Sequence, residues 1–199
     1  MAATKARTYQ PKKTRAAIIK SGLKLFGSRG YHGTSVGDIA TAAKITKGAF
    51  YHHFKSKEKL LVLIHEEYAD YQYKAMQAAM SDTLSSAQQL RVLITCIVEA
   101  VGRYKPNVTV YFQERRYLTK SNLAKANRQR NELENAFMKV VEQGIASGEF
   151  SQDLDPRVAC LGILGMCAWT YQWYSPRGRL SASDVADNFS SMLVDGILA

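Results

Sequence analysis

The stretch Thr34-Ser35-Val36-Gly37-Asp38-Ile39-Ala40-Thr41-Ala42-Ala43-Lys44-Ile45-Thr46-Lys47-Gly48-Ala49-Phe50-Tyr51-His52-His53-Phe54-Lys55-Ser56-Lys57-Glu58-Lys59-Leu60 packs three helix-starting signals into one short span. Thr34 and Ser35 can cap a helix, and Asp38 stands three residues after Ser35 as in a capping box. Val36, Ile39, Ala40 and Ala43 form its inward stripe. Thr46 can cap a second helix through Phe54, whose apolar side is Ile45, Ala49, Phe50 and Phe54. Ser56 caps a third that begins Lys57-Glu58-Lys59-Leu60. Short helices joined by only a few residues form a helix-turn-helix.

The pattern extends outward from this core. Upstream, Ala16, Ile19, Leu23 and Phe26 recur at helical spacing, predicting a helix over Lys13 to Arg29 with Gly27 and Gly30 at its end. Downstream, Leu60, Ile64, Tyr68, Tyr71 and Ala75 predict a long helix running to the polar cluster 81–86. Further helices are expected over Leu90 to Tyr104, ended by Pro106, then Val108 to Leu118 and Asn122 to Gly144. Asp155-Pro156 places a cap before a first-turn proline and opens Arg157 to Tyr174. Ser183 or Asp184 is expected to open a last helix to Leu198. Two-residue alternation is nearly absent, so the fold class is all-α: a helix-turn-helix module at 12–60, with its motif at 35–54, and a helical domain at 61–199.

Charge gives this division a meaning. The chain carries a net charge of +10, but residues 1–59 hold thirteen Lys or Arg against the acids Asp38 and Glu58, while the remainder is close to neutral. An excess confined to one end is the electrostatic footprint of a polyanion partner. Mean hydropathy is −0.23, no apolar run reaches the roughly 18 residues of a membrane span, and Met1 to Arg15 lacks the apolar core of a secretory signal. A cytoplasmic protein with no membrane partner is expected. Cys96, Cys160 and Cys167 are odd in number and set in apolar stretches, which fits reduced core thiols.

The outward side of the second short helix carries Lys47, Gly48, Tyr51 and His52. A helix thinned at its start by Gly48 and Ala49 can enter the ~12 Å major groove. Lys47 can reach phosphate or guanine, and Tyr51 and His52 can reach phosphate, sugar or thymine methyl groups. Lys55 and Lys57 flank the groove, and Thr34 and Ser35 grip its other side. His52-His53 is no metal site: neighbours on a helix point about 100° apart, and no Cys, Asp or third His lies close by in sequence.

Thr34 to Ala40, Lys47 to Phe54 and Lys57 to Leu60 together resemble the signature of the TetR family of repressors, a likeness covering about residues 13–60. The resemblance implies a homodimer that binds a palindromic, double-stranded operator, with a divergent C-terminal domain holding a small inducer. Gly37 departs from it, since many relatives carry a larger residue there.

Residues 60–199 show no Ser/His/Asp grouping and no glycine-rich phosphate loop, so an enzyme is not expected, nor any cofactor. Gly162 and Gly165 beside Leu161, Leu164 and Ala168, and the stripe Val185, Phe189, Leu193 and Ile197, suit packing against a second copy. Tyr104, Tyr111, Phe112, Tyr117, Phe137, Met166, Trp169 and Trp173 are candidates to line an apolar ligand cavity. The segments Val108 to Leu118 and Trp173 to Ser181 resemble a branch of the family that represses fatty-acid or sterol degradation and responds to acyl-CoA. That resemblance makes Arg115, Arg116, Arg177 and Arg179 candidates for CoA phosphates. Three alternatives stay open at this point: a regulator of drug or efflux response with another hydrophobic ligand, a basic protein coating nucleic acid without sequence preference, and a helical binding protein or enzyme whose N-terminal charge only solubilises it.

Overall fold

The computed structural model describes residues 10–81 and 83–198. Lys5 and Arg7 of the basic excess, most of the polar N-terminal segment, and Asp82 of the polar cluster lie outside them. Among the described residues the chain forms helices α1 (Pro11–Arg29), α2 (Val36–Ala42), α3 (Lys47–His53), α4 (Lys57–Ala79), α5 (Ser86–Glu114), α6 (Lys120–Ala146), α7 (Pro156–Trp173) and α8 (Ala182–Val194), with a 3₁₀ turn at Arg115–Tyr117 after α5. The only sheet-like feature among them is a single antiparallel bridge between Phe150 and Leu198.

The helix starts follow the expected chemistry. The Ser35 hydroxyl accepts from the Asp38 N–H while the Asp38 carboxylate accepts from the Ser35 N–H, a complete capping box. Thr46 and Ser56 accept from Ala49 and Lys59 in the same way. The last helix begins at Ala182 and not at Ser183 or Asp184, because Ser181 takes the cap and Asp184 closes its box. It ends at Val194, so Leu198 lies beyond it.

The break expected before Pro106 is present as a kink inside α5. Two helices meet there end to end: Tyr104 leaves helical geometry (φ −113°, ψ 25°) two residues before the proline, which has no N–H to donate. Val101 before the kink and Val108 after it are both buried in one core, and that shared burial holds the two halves together.

Two cores organise the molecule. The larger packs Leu90, Leu93, Ile94 and Ile97 of α5 against Phe137 and Val140 of α6, Ile163 and Cys167 of α7, and Val185 of α8. The smaller holds Ile18, Phe26, Ile39, Phe50 and Leu60 of the N-terminal module, and it also contains Val110, Tyr111, Leu118 and Ala126 from α5 to α6. The helix-turn-helix is therefore packed directly on the far end of α5. The expected division at residue 60 falls inside α4, which runs unbroken from one core to the other. Gly22 allows the close crossing of α1 and α4: a Cβ there would stand 2.5 Å from a Leu60 methyl carbon.

Candidate functional site

The α2–α3 turn sets the angle of the candidate recognition helix. Lys44 N–H bonds the Thr41 carbonyl and Ile45 N–H bonds the Ala40 carbonyl, the two bonds of a Schellman ending. Lys44 sits at the left-handed position of that motif with φ 57°, a conformation glycine adopts without strain. Ile45 packs against the smaller core and Phe50 is wholly buried, which pins α3 and turns Lys47, Gly48, Tyr51 and His52 to the surface. Tyr51 is 55% exposed although it is a large aromatic residue. Ala49 is half-buried, and Ser35 and Lys55 are exposed. A Cβ on Gly37 would stand 3.0 Å from Lys47 Cε, so the glycine that departs from the family pattern makes room for the lysine stem across α2. Asp38 is held below the usual carboxylate range chiefly by the Ser35 hydroxyl.

Two expected DNA contacts have other work. Thr34 is fully buried, and its hydroxyl donates to the Gly30 carbonyl at 2.9 Å and faces that of Leu25 at 3.3 Å. It ties the α1–α2 loop, while its neighbour Ser35 caps α2. Lys57 donates its ammonium to the carbonyls of Tyr31 (2.6 Å) and Thr34 (2.8 Å), over the face of Tyr31. Burial lowers its pKa, and Glu114 at the end of α5 pulls the other way.

Behind this module lies a cavity of about 650 Å³, walled by α4, α5, α6 and α7. Of the residues expected to line it, Tyr111, Phe112 and Arg115 do so. Tyr104 packs on Tyr71 beside the α5 kink, and Met166 is half-buried on α7 outside the lining. Tyr117 turns to the helix-turn-helix, stacking on Tyr31 (5.7 Å between centroids) and edge-on to His32 (4.1 Å), with Arg116 over its ring. Trp169 and Trp173 are 60% and 50% exposed on the outer side of α7, and Arg177 is exposed in the α7–α8 loop, as is Arg179. Helical spacing showed that these residues share faces but not which neighbour each face meets. The lining residues His65, Tyr68, Gln72 and Arg130 were missed. Arg130 reaches the cavity from α6, one turn from Glu134 (3.8 Å).

The residues expected at a dimer seam divide. Leu161 is exposed, nothing stands within 4 Å of a Cβ built on Gly162 or Gly165, and Leu161, Gly165 and Ala168 also edge the cavity. Val185 is buried in the chain's own core, and Phe189, Leu193 and Ile197 pack half-buried against it. Val185, Phe189 and Leu193 form the inner face of α8, and Ile197 follows beyond its end. The outward apolar residues are instead Val158, Trp169, Trp173 and Met192. Cys96, Cys160 and Cys167 are free and buried. Among the described residues no helix is long and apolar enough to cross a membrane, and no group of three or more His, Cys, Asp or Glu could hold a metal.

His65 stacks on Tyr111 at 3.8 Å and 14° between ring planes. Burial lowers its pKa from 6.5 to about 4, against a small opposing pull from Glu66. The folded state thus refuses a proton that the unfolded chain accepts, so the stability contributed by the neutral ring is complete above pH 6.5 and is withdrawn as pH falls toward 4. The full shift corresponds to about 3 kcal/mol. His65→Phe is expected to lose about 2 kcal/mol less stability than the parent between pH 7.5 and 5 in urea titrations; parallel losses would contradict the assignment.

A capped recognition helix, packed through a shared core on a helical bundle with an apolar cavity, defines a helix-turn-helix DNA-binding regulator. Residues 18–64 match the model of the bacterial regulatory proteins of the tetR family, and residues 83–197 match the tetracyclin repressor-like C-terminal domain. The chain belongs to the TetR family of transcriptional regulators. It is 31% identical over 188 residues to the HTH-type transcriptional repressor KstR2 of Rhodococcus jostii, covering 92% of this chain and 90% of that protein. Among solved structures it is similar to the ketosteroid transcriptional regulator KstR2 of Mycobacterium tuberculosis (TM-score 0.86, 26% identity, 93% and 95% of the two chains). It is also similar to AibR in complex with isovaleryl coenzyme A and operator DNA (TM-score 0.79, 28% identity, 91% and 98%).

Proposed function

We propose that the chain is a homodimeric repressor that binds a palindromic operator through α3 and leaves it when an acyl-CoA thioester fills the cavity between α4 and α7. The observation that carries this reading is one continuous segment. Tyr111, Phe112 and Arg115 line the cavity, and Tyr117, two residues on, stacks on Tyr31 and His32 in the α1–α2 loop. Next to it, Glu58 at the start of α4 accepts from the Thr119 N–H (2.7 Å) and the Asn122 amide (2.6 Å). A ligand that displaces Arg115 must move Tyr117 or break these ties, and either outcome tilts α4 and α1 against each other. Ligand binding shifts DNA affinity only if the ligand prefers one of the two arrangements, and this joint is where the arrangements can differ.

A cavity of this size suits a ligand of drug-like volume, and Arg115 with Arg130 supplies cations for a CoA phosphate. The relatives support the choice of effector, since AibR is described with isovaleryl coenzyme A and operator DNA. Val158, Leu161, Trp169, Trp173 and Met192 offer an apolar seam for a second copy, and on α7 the glycines 162 and 165 lie along the same helical face. Paired modules would read two half-sites about one DNA turn apart.

Titrating acyl-CoA thioesters of increasing chain length, and sterol-derived ones, into the protein–operator complex is expected to release the DNA at one range of acyl size. Retention of DNA across the whole series would remove the thioester from the proposal.

A further inference from the structure

α4 brings uncharged polar side chains to the cavity. His65, Tyr68 and Gln72 stand at positions i, i+3 and i+7 of α4 and share a helical face about 10 Å long. Ile97, Leu133, Leu161 and Leu164 give the cavity its apolar lining, and Asp70, Arg115, Arg130 and Glu132 add charged groups to it. His65 is 7% exposed, and neither of its ring nitrogens has a hydrogen-bond partner among the described residues. The Tyr111 ring is stacked on one face of the imidazole, and a hydrogen bond to either nitrogen must come in the ring plane. Gln72 is 8% exposed and is bonded to the Tyr68 hydroxyl.

A buried polar group without a partner costs free energy that phenylalanine or leucine at the same place would not. Burial keeps the imidazole neutral, so it presents one N–H donor and one nitrogen acceptor. We infer that His65 recognises an oxygen carried on the acyl part of the effector, with Gln72 two turns further along the same face of α4. The effector is therefore an oxygenated acyl thioester, bearing a ketone or hydroxyl, and not a plain alkanoyl chain. A ketone accepts from the imidazole N–H, and a hydroxyl can also donate to the other nitrogen. A saturated chain fits the apolar walls but leaves both His65 nitrogens unmet. This inference rests on the proposed cavity reading and sharpens it from a thioester to a class of thioester.

The test compares a saturated acyl-CoA with keto isomers of equal carbon number, the carbonyl moved along the chain, as agents releasing the protein from operator DNA. One isomer is expected to act at about tenfold lower concentration than the saturated thioester, the value of one hydrogen bond to a buried group. In His65→Phe, which keeps the stacked ring, that preference should shrink to within about twofold. In protein labelled with ¹⁵N-histidine, the His65 nitrogens should shift on adding the favoured isomer and not on adding the saturated one. Equal potency of saturated and keto thioesters, unchanged by His65→Phe, overturns the inference and leaves the thioester reading in place. Failure of every thioester to release DNA overturns both.

Discussion

Replacing Lys47 and Tyr51 together with alanine is expected to weaken operator binding by about 100-fold at fixed salt, while the unfolding midpoint stays near that of the parent. The size follows from two contacts worth ~1–2 kcal/mol each, with tenfold in affinity for every 1.4 kcal/mol. The specificity of the effect follows from the structure. Both side chains stand on the exposed side of α3, whereas the helix is fixed from beneath by Phe50 and from its start by Thr46. Alanine is also a good helix former, so α3 should persist. Lys57→Ala and Thr34→Ala give the contrast. Their polar groups tie the α1–α2 loop, so the loss should show first as a lower unfolding midpoint. Fluorescence anisotropy on labelled operator, run beside thermal melts, separates the two kinds of variant. Undiminished binding by the double variant would place the DNA surface elsewhere.

Tyr117→Ala is expected to uncouple the effector from DNA. Coupling free energies between sites typically reach 1–3 kcal/mol, or roughly 5–150-fold in affinity. Removing the ring that stacks on Tyr31 and His32 should bring the effector-induced loss of operator affinity below about threefold. Neither binding event alone should change much, since Tyr117 lines no part of the cavity and lies outside the recognition helix. Tyr117→Phe keeps the ring and should restore coupling. Measuring operator affinity with and without saturating effector, and effector affinity with and without operator, gives the coupling twice, because linkage requires the two factors to agree. Full coupling in Tyr117→Ala would send the path through α4 alone.

How much of this was legible in the sequence depended on how local the physics was. The caps at Ser35, Thr46 and Ser56 are satisfied within three residues, so spacing alone located α2, α3 and α4. Thr34 and Ser35 are adjacent hydroxyls with the same local credentials, and only the position of the α1 carbonyls decides that Thr34 is a buried tie. Lys57 looked like one more surface cation in a basic run because its acceptors, the Tyr31 and Thr34 carbonyls, lie far back in the chain. The break at Pro106 is local, the loss of one helix bond, and so spacing placed it; that the two helices stay end to end across it follows from the burial of Val101 and Val108 on the same core. Trp169, Trp173 and Val185 share the same lesson from opposite sides: period gives a face, and only packing says whether that face meets the chain's own core, as for Val185, or the outside, as for the tryptophans. The polar side chains that α4 brings to the cavity were hidden for a similar reason. Tyr68 fits the apolar stripe of α4, and nothing in the sequence marks His65 as a buried base stacked on Tyr111.

Binding is best measured as a function of salt on palindromic duplexes selected from the DNA upstream of the chain's own gene, compared with scrambled duplexes of equal length and composition. One palindrome is expected to bind tightly near physiological salt, at least ~1,000-fold more strongly than scrambled DNA, with two chains per site and a steep fall as salt rises. Equal affinity for palindromic and scrambled duplexes at every salt concentration would contradict this expectation.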